Sequence, residues 1–313
     1  MTNLSEFTFL SSDGKTQLHG MLWEPEGVAV RAVLQICHGV AEHIARYDGF
    51  ARALNEQGIV VAGHDHLGHG KSLPEGGTPV YFGEGNTWNT VVDDIYVLHQ
   101  RLKQRYPDVP LCIMGHSMGS FLTRTYLIRY PGTVKAAVIM GTGWQPRAAI
   151  TGGLALANAI AAVSGENATS ELVTELAFGS YNKLFAPNRT KVDWLSADES
   201  NVDDYIADPL CGADATVGLF RQMLHGIRFN QRQSHLRQMD REMPVLFVAG
   251  DKDPVGSCGK GVRQTYDAFR AAGMRDCTLK LYPGLRHEIL NEKAYTADIT
   301  KDIEAWLLSR LEK

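Results

Sequence analysis

The sequence predicts an α/β fold, a mostly parallel central sheet flanked by helices with a helical segment inserted in mid-chain. Three observations predict it. Short apolar runs alternate with longer amphipathic stretches along most of the 313 residues. A Gly-x-Ser-x-Gly sequence, Gly115 to Gly119, stands between one such run and the amphipathic stretch after it. Finally, about a hundred residues from Gly141 to Met243 separate two strand candidates, where a βαβ unit needs only about thirty.

Taken in order, the chain opens on alternation: Phe7 and Phe9, a turn at Asp13-Gly14, then Leu18, Met21 and Trp23, which reads as a β-hairpin. The rhythm then becomes that of βα units. Strands are expected at Ala32 to Cys37, Ile59 to Ala62, Leu111 to Met114, Ala136 to Met140, Val245 to Ala249 and Thr278 to Tyr282. Helical spacing appears around Phe50 to Leu54, stopping at Gly58, and in Val91, Val92, Ile95, Leu98 and Leu102, ending before Pro107. A third helix runs from Gly119 to Tyr130, closed by Pro131-Gly132, and a last one carries Ile299, Ile303, Trp306, Leu307 and Leu311. The insertion holds Trp144, Leu154, Leu156, Ile160, Phe178, Tyr181, Phe185, Trp194 and Phe220 between Gly and Asn breaks, so a small helical cap is expected rather than a loose loop. The expected division is residues 1–143 and 229–313 for the sheet domain and 144–228 for the cap.

Composition excludes several function classes. With 44% hydrophobic and 21% charged residues the chain is an ordinary folded protein, and a net charge of −4 with scattered Lys and Arg leaves no footprint for nucleic acid. The start, MTNLSEFTFL, lacks a basic, apolar leader, and the five cysteines are odd in number and widely spaced, so reduced thiols and a cytoplasmic location are expected. The longest weakly polar stretch, Gly152 to Val163, is short of the ~20 residues of a membrane span, though an apolar helix at a site mouth is a place for transient contact with a lipid surface.

The chemistry gathers at Gly115-His116-Ser117-Met118-Gly119. A sharp strand-to-helix turn there strains the serine backbone and exposes its Oγ beside the free N–H groups of a helix start. A serine hydroxyl is a poor nucleophile at neutral pH and needs a base, itself held in one tautomer by a carboxylate. Both partners are expected after later strands: Asp253 in Gly-Asp-Lys-Asp-Pro and His287 in Gly-Leu-Arg-His-Glu, at carboxyl strand ends that converge on one crevice. Asp251 competes for the acid role and Glu288 adjoins His287. Asp253 is favoured because Pro254 stiffens the turn behind it, whereas Asp251 is better placed to close the strand-end turn. An oxyanion hole needs two N–H donors, expected from Met118 and, by position in the His38-Gly39-Val40 loop, from Val40. Gly39, His116 and Trp144 are candidate substrate-binding residues.

At these residues the chain resembles the monoacylglycerol lipase and lysophospholipase group of α/β-hydrolases, also filed as serine aminopeptidase S33. The resemblance rests on His38-Gly39 with Glu42-His43 and Arg46-Tyr47, on Asp65-His66-Leu67-Gly68-His69-Gly70-Lys71-Ser72, on Gly-His-Ser-Met-Gly, on Gly250 to Asp253, and on Gly284 to Glu288. It implies an α/β-hydrolase fold, a Ser117–Asp253–His287 triad and oxyanion amides at Val40 and Met118. It also implies a cap between the strands at Met140 and Val245, and hydrolysis of monoacylglycerols or related small lipid esters through an acyl-enzyme, with no cofactor. Ser120 stands where many relatives have glycine, and Leu67 where arginine is frequent.

Other readings carry less weight. His64, His66 and His69 around Asp65 could suggest a metal, but no second ligand cluster accompanies them, and support of the oxyanion strand by hydrogen bonds explains them better. Gly256 to Gly261 has the wrong glycine spacing for a phosphate loop. A general carboxylesterase on short or aromatic esters is the nearest alternative activity. A peptidase lacks an evident acidic pocket for a peptide amino terminus, and a non-catalytic binding module would have little reason to keep all three triad residue types.

Overall fold

The computed structural model describes residues 1–311. One eight-stranded sheet runs in the order β1-β2-β4-β3-β5-β6-β7-β8. Its members are β1 (Thr2–Leu10), β2 (Gln17–Pro25), β3 (Ala32–Cys37), β4 (Ile59–His64), β5 (Leu111–His116), β6 (Ala137–Met140), β7 (Val245–Gly250) and β8 (Cys277–Tyr282). The hairpin pairs β1 with β2 antiparallel, Thr2 opposite Pro25 through Leu10 opposite Gln17, and β2 joins β4 antiparallel. Every pairing from β4 across to β8 is parallel. The turn is fixed by Asp13, whose Oδ1 accepts the Lys15 and Thr16 N–H groups at 2.8 Å each.

Strands β3 to β7 are mostly apolar because both faces are covered, and every one of their residues is buried, the polar Gln35, His64 and His116 included. On one face lie α1 (Asp48–Asn55) and α11 (Thr296–Leu311), packing Phe50, Leu54, Ile299, Ile303 and Leu307 against Leu34, Val61 and Val248. On the other lie α2 (Thr87–Arg105), α3 (Met118–Arg129) and α10 (Lys260–Ala271), with Val91, Ile95, Leu122, Tyr126, Val262 and Phe269 packed on Val33, Ile113 and Phe247. Burying each such side chain contributes roughly 1.5–3 kcal/mol.

Between β6 and β7 the chain leaves the sheet and is largely helical: α4 (Arg147–Ser164), α5 (Glu171–Thr174), α6 (Ser180–Lys183), α7 (Glu199–Ala207), α8 (Val217–Asn230) and α9 (Gln233–Leu236). The sequence-based boundary at 228 falls inside α8, which anchors the segment to the sheet domain. Asn230 donates to the Phe121 carbonyl of α3 at 2.8 Å and accepts the Thr125 hydroxyl at 2.9 Å. Helix α4 corrects an expectation of length. The apolar stretch at Gly152 to Val163 lies in an 18-residue helix, long and apolar enough by length and composition to cross a membrane, with 17% of it buried. Its inner face, Ile150, Leu154 and Ala157, is buried, and Gly153 lets it approach Leu224 of α8 closely.

Candidate active site

The turn from β5 into α3 puts Ser117 at φ 55°, a backbone conformation costly for a residue with a Cβ. The fold over-determines it. A Cβ on Gly115 would stand 2.2 Å from the Gly119 carbonyl oxygen, and one on Gly119 only 2.0 Å from that of Cys37, so no other residue fits either flank. The Ser117 N–H is spent on the Met140 carbonyl at 3.1 Å, and Ser120, the departure noted above, donates its hydroxyl to the Ser117 carbonyl at 2.6 Å.

The later loops bring the two partners to this elbow. His287 Nδ1 lies 2.9 Å from Asp253 Oδ1, which also takes the Val255 N–H at 2.9 Å. Asp251 instead accepts the Gly284 N–H at 2.8 Å, tying the two loops together. His287 Nε2 is buried and has no hydrogen-bond partner, so no bond joins it to Ser117 Oγ here. Such catalytic bonds commonly tighten only once substrate is bound. Ser117 is 8% exposed and His287 2%.

On the facing side, Gly39 is pressed between Glu42 Oε1 and the Ser117 Cβ, where a Cβ of its own would be 2.6 Å from the former. Its carbonyl is held by His38: Nε2 accepts the His66 N–H at 3.0 Å, which leaves the proton on Nδ1 to donate to Gly39 O at 2.8 Å. The N–H groups of Val40 and Met118 make no hydrogen bond among the described residues. The histidine loop departs from expectation in detail. His64 and His66 have no partner on either ring nitrogen, and the supporting bonds come from His38, from His69 to Leu67 O, and from Asp65, which takes the Ile44 and Lys71 N–H groups and His19. Burial holds His64 and His69 neutral, pushed down to about 3. Metal-type donors converge instead at His43, Asp208 and Cys211, where His43 Nε2 is already paired with Asp208 at 2.8 Å.

Of the other candidates, His116 is turned inward, between Glu42 Oε1 and the His287 carbonyl at 3.3 Å each, and is buried rather than presented to a ligand. Trp144 is half-buried, and its ring is not the one over the base. That ring is Trp194, centred 5.1 Å from the His287 imidazole and packed with Phe178 and Tyr181, while Phe178 in turn meets Phe220. Only its place in an aromatic-rich insertion marked it in the sequence.

A buried ionic cluster lies beneath. Glu42 accepts the Gly39 N–H, the Tyr47 hydroxyl and Arg46, and Arg46 forks onto both Glu288 oxygens at 2.7 and 2.8 Å. Burial opposes the Glu42 charge, but His116 and Arg46 outweigh it and hold its carboxyl well below the usual range. Asn201 of α7 donates to Glu288 at 2.9 Å, and Arg286 donates to the Ser196 carbonyl at 2.9 Å, so the segment around 193–201 is fastened to the base loop.

Comparison with known proteins places this arrangement. The chain is 31% identical to a monoacylglycerol lipase of Mycolicibacterium smegmatis over 98% of each chain, and 28% identical to a monoglyceride lipase of Mus musculus over 96% of this chain and 90% of that one. Its fold superposes with a TM-score of 0.92 on a thermostable carboxyl esterase of Bacillus coagulans crystallised with glycerol, at 26% identity, covering 99% of this chain and 100% of the other. Residues 28–294 match the family described as Serine aminopeptidase, S33, and the chain belongs to that family.

Proposed function

We propose that the protein is a serine ester hydrolase that cleaves monoacylglycerols or related small lipid esters, with Ser117 as nucleophile, His287 as general base and Asp253 as the carboxylate that orients it. The observation that carries the reading is the 2.9 Å Asp253–His287 pair, whose far nitrogen is left free at the strained Ser117 elbow. Asp253 fixes the proton on Nδ1, so Nε2 is the basic nitrogen. Ser117 attacks the ester carbonyl as Nε2 takes its proton, and the Val40 and Met118 N–H groups receive the oxyanion. The imidazolium then protonates the leaving alcohol, and the same nitrogen activates water to release the acid. This sequence needs no cofactor or metal.

Residues 144–228 act as the cap. The aromatic wall of Phe178, Tyr181, Trp194 and Phe220 beside the base is a surface for an acyl chain, and supports a lipid over a short-chain substrate. Exposed apolar side chains at Val163, Leu172, Leu176 and Leu184 give the same cap a surface for transient contact with lipid. Five free thiols support a reducing compartment such as the cytoplasm. The likeness to the carboxyl esterase favours short or aromatic esters as the second reading. Turnover of monoacylglycerols and p-nitrophenyl esters of graded chain length separates the two: kcat/KM rising with acyl length supports the lipid assignment, and activity confined to short acids defeats it.

A further inference from the structure

We propose that His116 is a positioning residue held as an imidazolium, pinning the loop that carries His287 to the loop that carries the oxyanion amides. This rests on the serine hydrolase reading and deepens it. Both ring nitrogens of His116 face groups that can only accept: Nδ1 meets the Glu42 carboxylate and Nε2 the His287 carbonyl, each at 3.3 Å. A neutral imidazole protonates one nitrogen and would set the other's lone pair against an oxygen; only the doubly protonated ring satisfies both.

Charge balance gives the same answer. The groups facing this ring are Glu42, Arg46 and Tyr47 from the segment after β3, and His287 and Glu288 from the base loop, with Asp253 behind His287 and the Tyr205 ring over Arg46. Two carboxylates, Glu42 and Glu288, are buried with one guanidinium. A neutral His116 would leave these three groups at a net negative charge, whereas an imidazolium brings the four to zero, with Asp253 paired separately to His287. Burial opposes that charge, and the Glu42 bond and charge outweigh it to push His116 above its ordinary value.

Two consequences follow. Glu42 holds the Gly39 N–H, so the oxyanion loop, the nucleophile's neighbour and the base loop are tied through one ring. The His116 ring is also centred 4.7 Å from the His287 ring, so the pinned imidazole packs directly beside the base.

Nitrogen-15 NMR of the histidine rings tests the proposal on the wild-type chain, so it survives a variant that fails to fold. His116 is expected to carry protons on both nitrogens at about pH 7, above the ordinary histidine range. It should do so equally in Ser117→Ala, which separates this inference from the activity assignment. In Glu42→Gln the second proton should be lost. His116→Gln should lower kcat about 10- to 100-fold with KM changed less than about two-fold. A singly protonated His116 at neutral pH, or a His116→Gln enzyme altered in KM alone, overturns it.

Discussion

The two walls of the site are built in opposite ways. On the base side, the segments around 42–47, 193–201 and 286–292 are knotted by buried and part-buried directional contacts: Arg46 on Glu288, Asn201 on Glu288, Arg286 on the Ser196 carbonyl, and the Ala197 N–H on Glu292 at 2.8 Å. At the cap tip, from Val163 to Leu184, large apolar side chains face outward instead, Val163 88% exposed and Leu176 65%. There the helical run passes from α5 through a π turn at Glu175–Gly179 with no buried residue. Chemistry requires groups held to fractions of an ångström, which satisfied polar networks provide. The proposed transient contact with a lipid surface requires apolar area without fixed geometry, which the exposed tip offers.

The sharpest way to break this division is at the rigid wall. Ser117→Ala should lower kcat on the order of 10⁴- to 10⁶-fold while thermal unfolding stays near wild type, because the hydroxyl makes no bond that holds the fold. Retained turnover would sink the nucleophile assignment. Asp253→Asn should cost about 10³ to 10⁴ in kcat, since an amide can present its N–H to Nδ1 and place the ring proton on the wrong nitrogen. If Asp251→Asn proves the costlier of the two, the acid role moves there despite its bond to Gly284.

How much of this was readable beforehand follows from where the signals lie. Strands β3, β5 and β7 were legible because burial on both faces writes a largely apolar run, and the elbow because glycine is the only residue that fits beside Cys37 O and Gly119 O. The β6 strand begins at Ala137, one residue later than its apolar run suggested. The full length of α4 was hidden because Arg147 and Thr151, within its first five residues, interrupt the apolar stretch without breaking the helix. Trp194 over His287 spans 93 residues of chain, and no local periodicity records a contact of that kind. The imidazoles of His64 and His66 were expected to hydrogen-bond, yet they pack as apolar rings, His64 edge-on to Phe9 and His66 against His38. Sequence gives residue type but not which polar atoms burial will strand.

Those histidines supply a test of the sheet side that leaves the cap alone. Folded His64 and His69 are pushed down to about 3, whereas an unfolded chain takes up these protons near 6.5. Between those values the unfolded state binds more protons, so stability is intact above about pH 6.5 and falls as pH drops toward 3, by up to about 1.4 kcal/mol per pH unit for each ring. Unfolding temperatures measured from pH 7 down to 4 should fall, and His64→Gln should flatten the curve. An unchanged slope in that variant would mean other groups control acid unfolding.

The smallest effect is expected at the tip, and it is the one that separates lipid contact from mere exposure. Leu176 and Leu184 are exposed, as are Leu172 and Val163. Replacing Leu176 and Leu184 together by Ser removes apolar area without touching a buried contact, so stability should move by less than about 0.5 kcal/mol. Each leucine that enters a bilayer interface contributes favourably to binding, so the double variant should bind lipid vesicles several-fold more weakly. Activity on an emulsified long-chain monoacylglycerol should drop by a similar factor, and activity on a dissolved short-chain ester should not change. Equal loss on both substrates would instead make the tip part of the enclosed acyl site. It would then belong to the rigid wall, and the division between the two regions would have to be redrawn around Trp194.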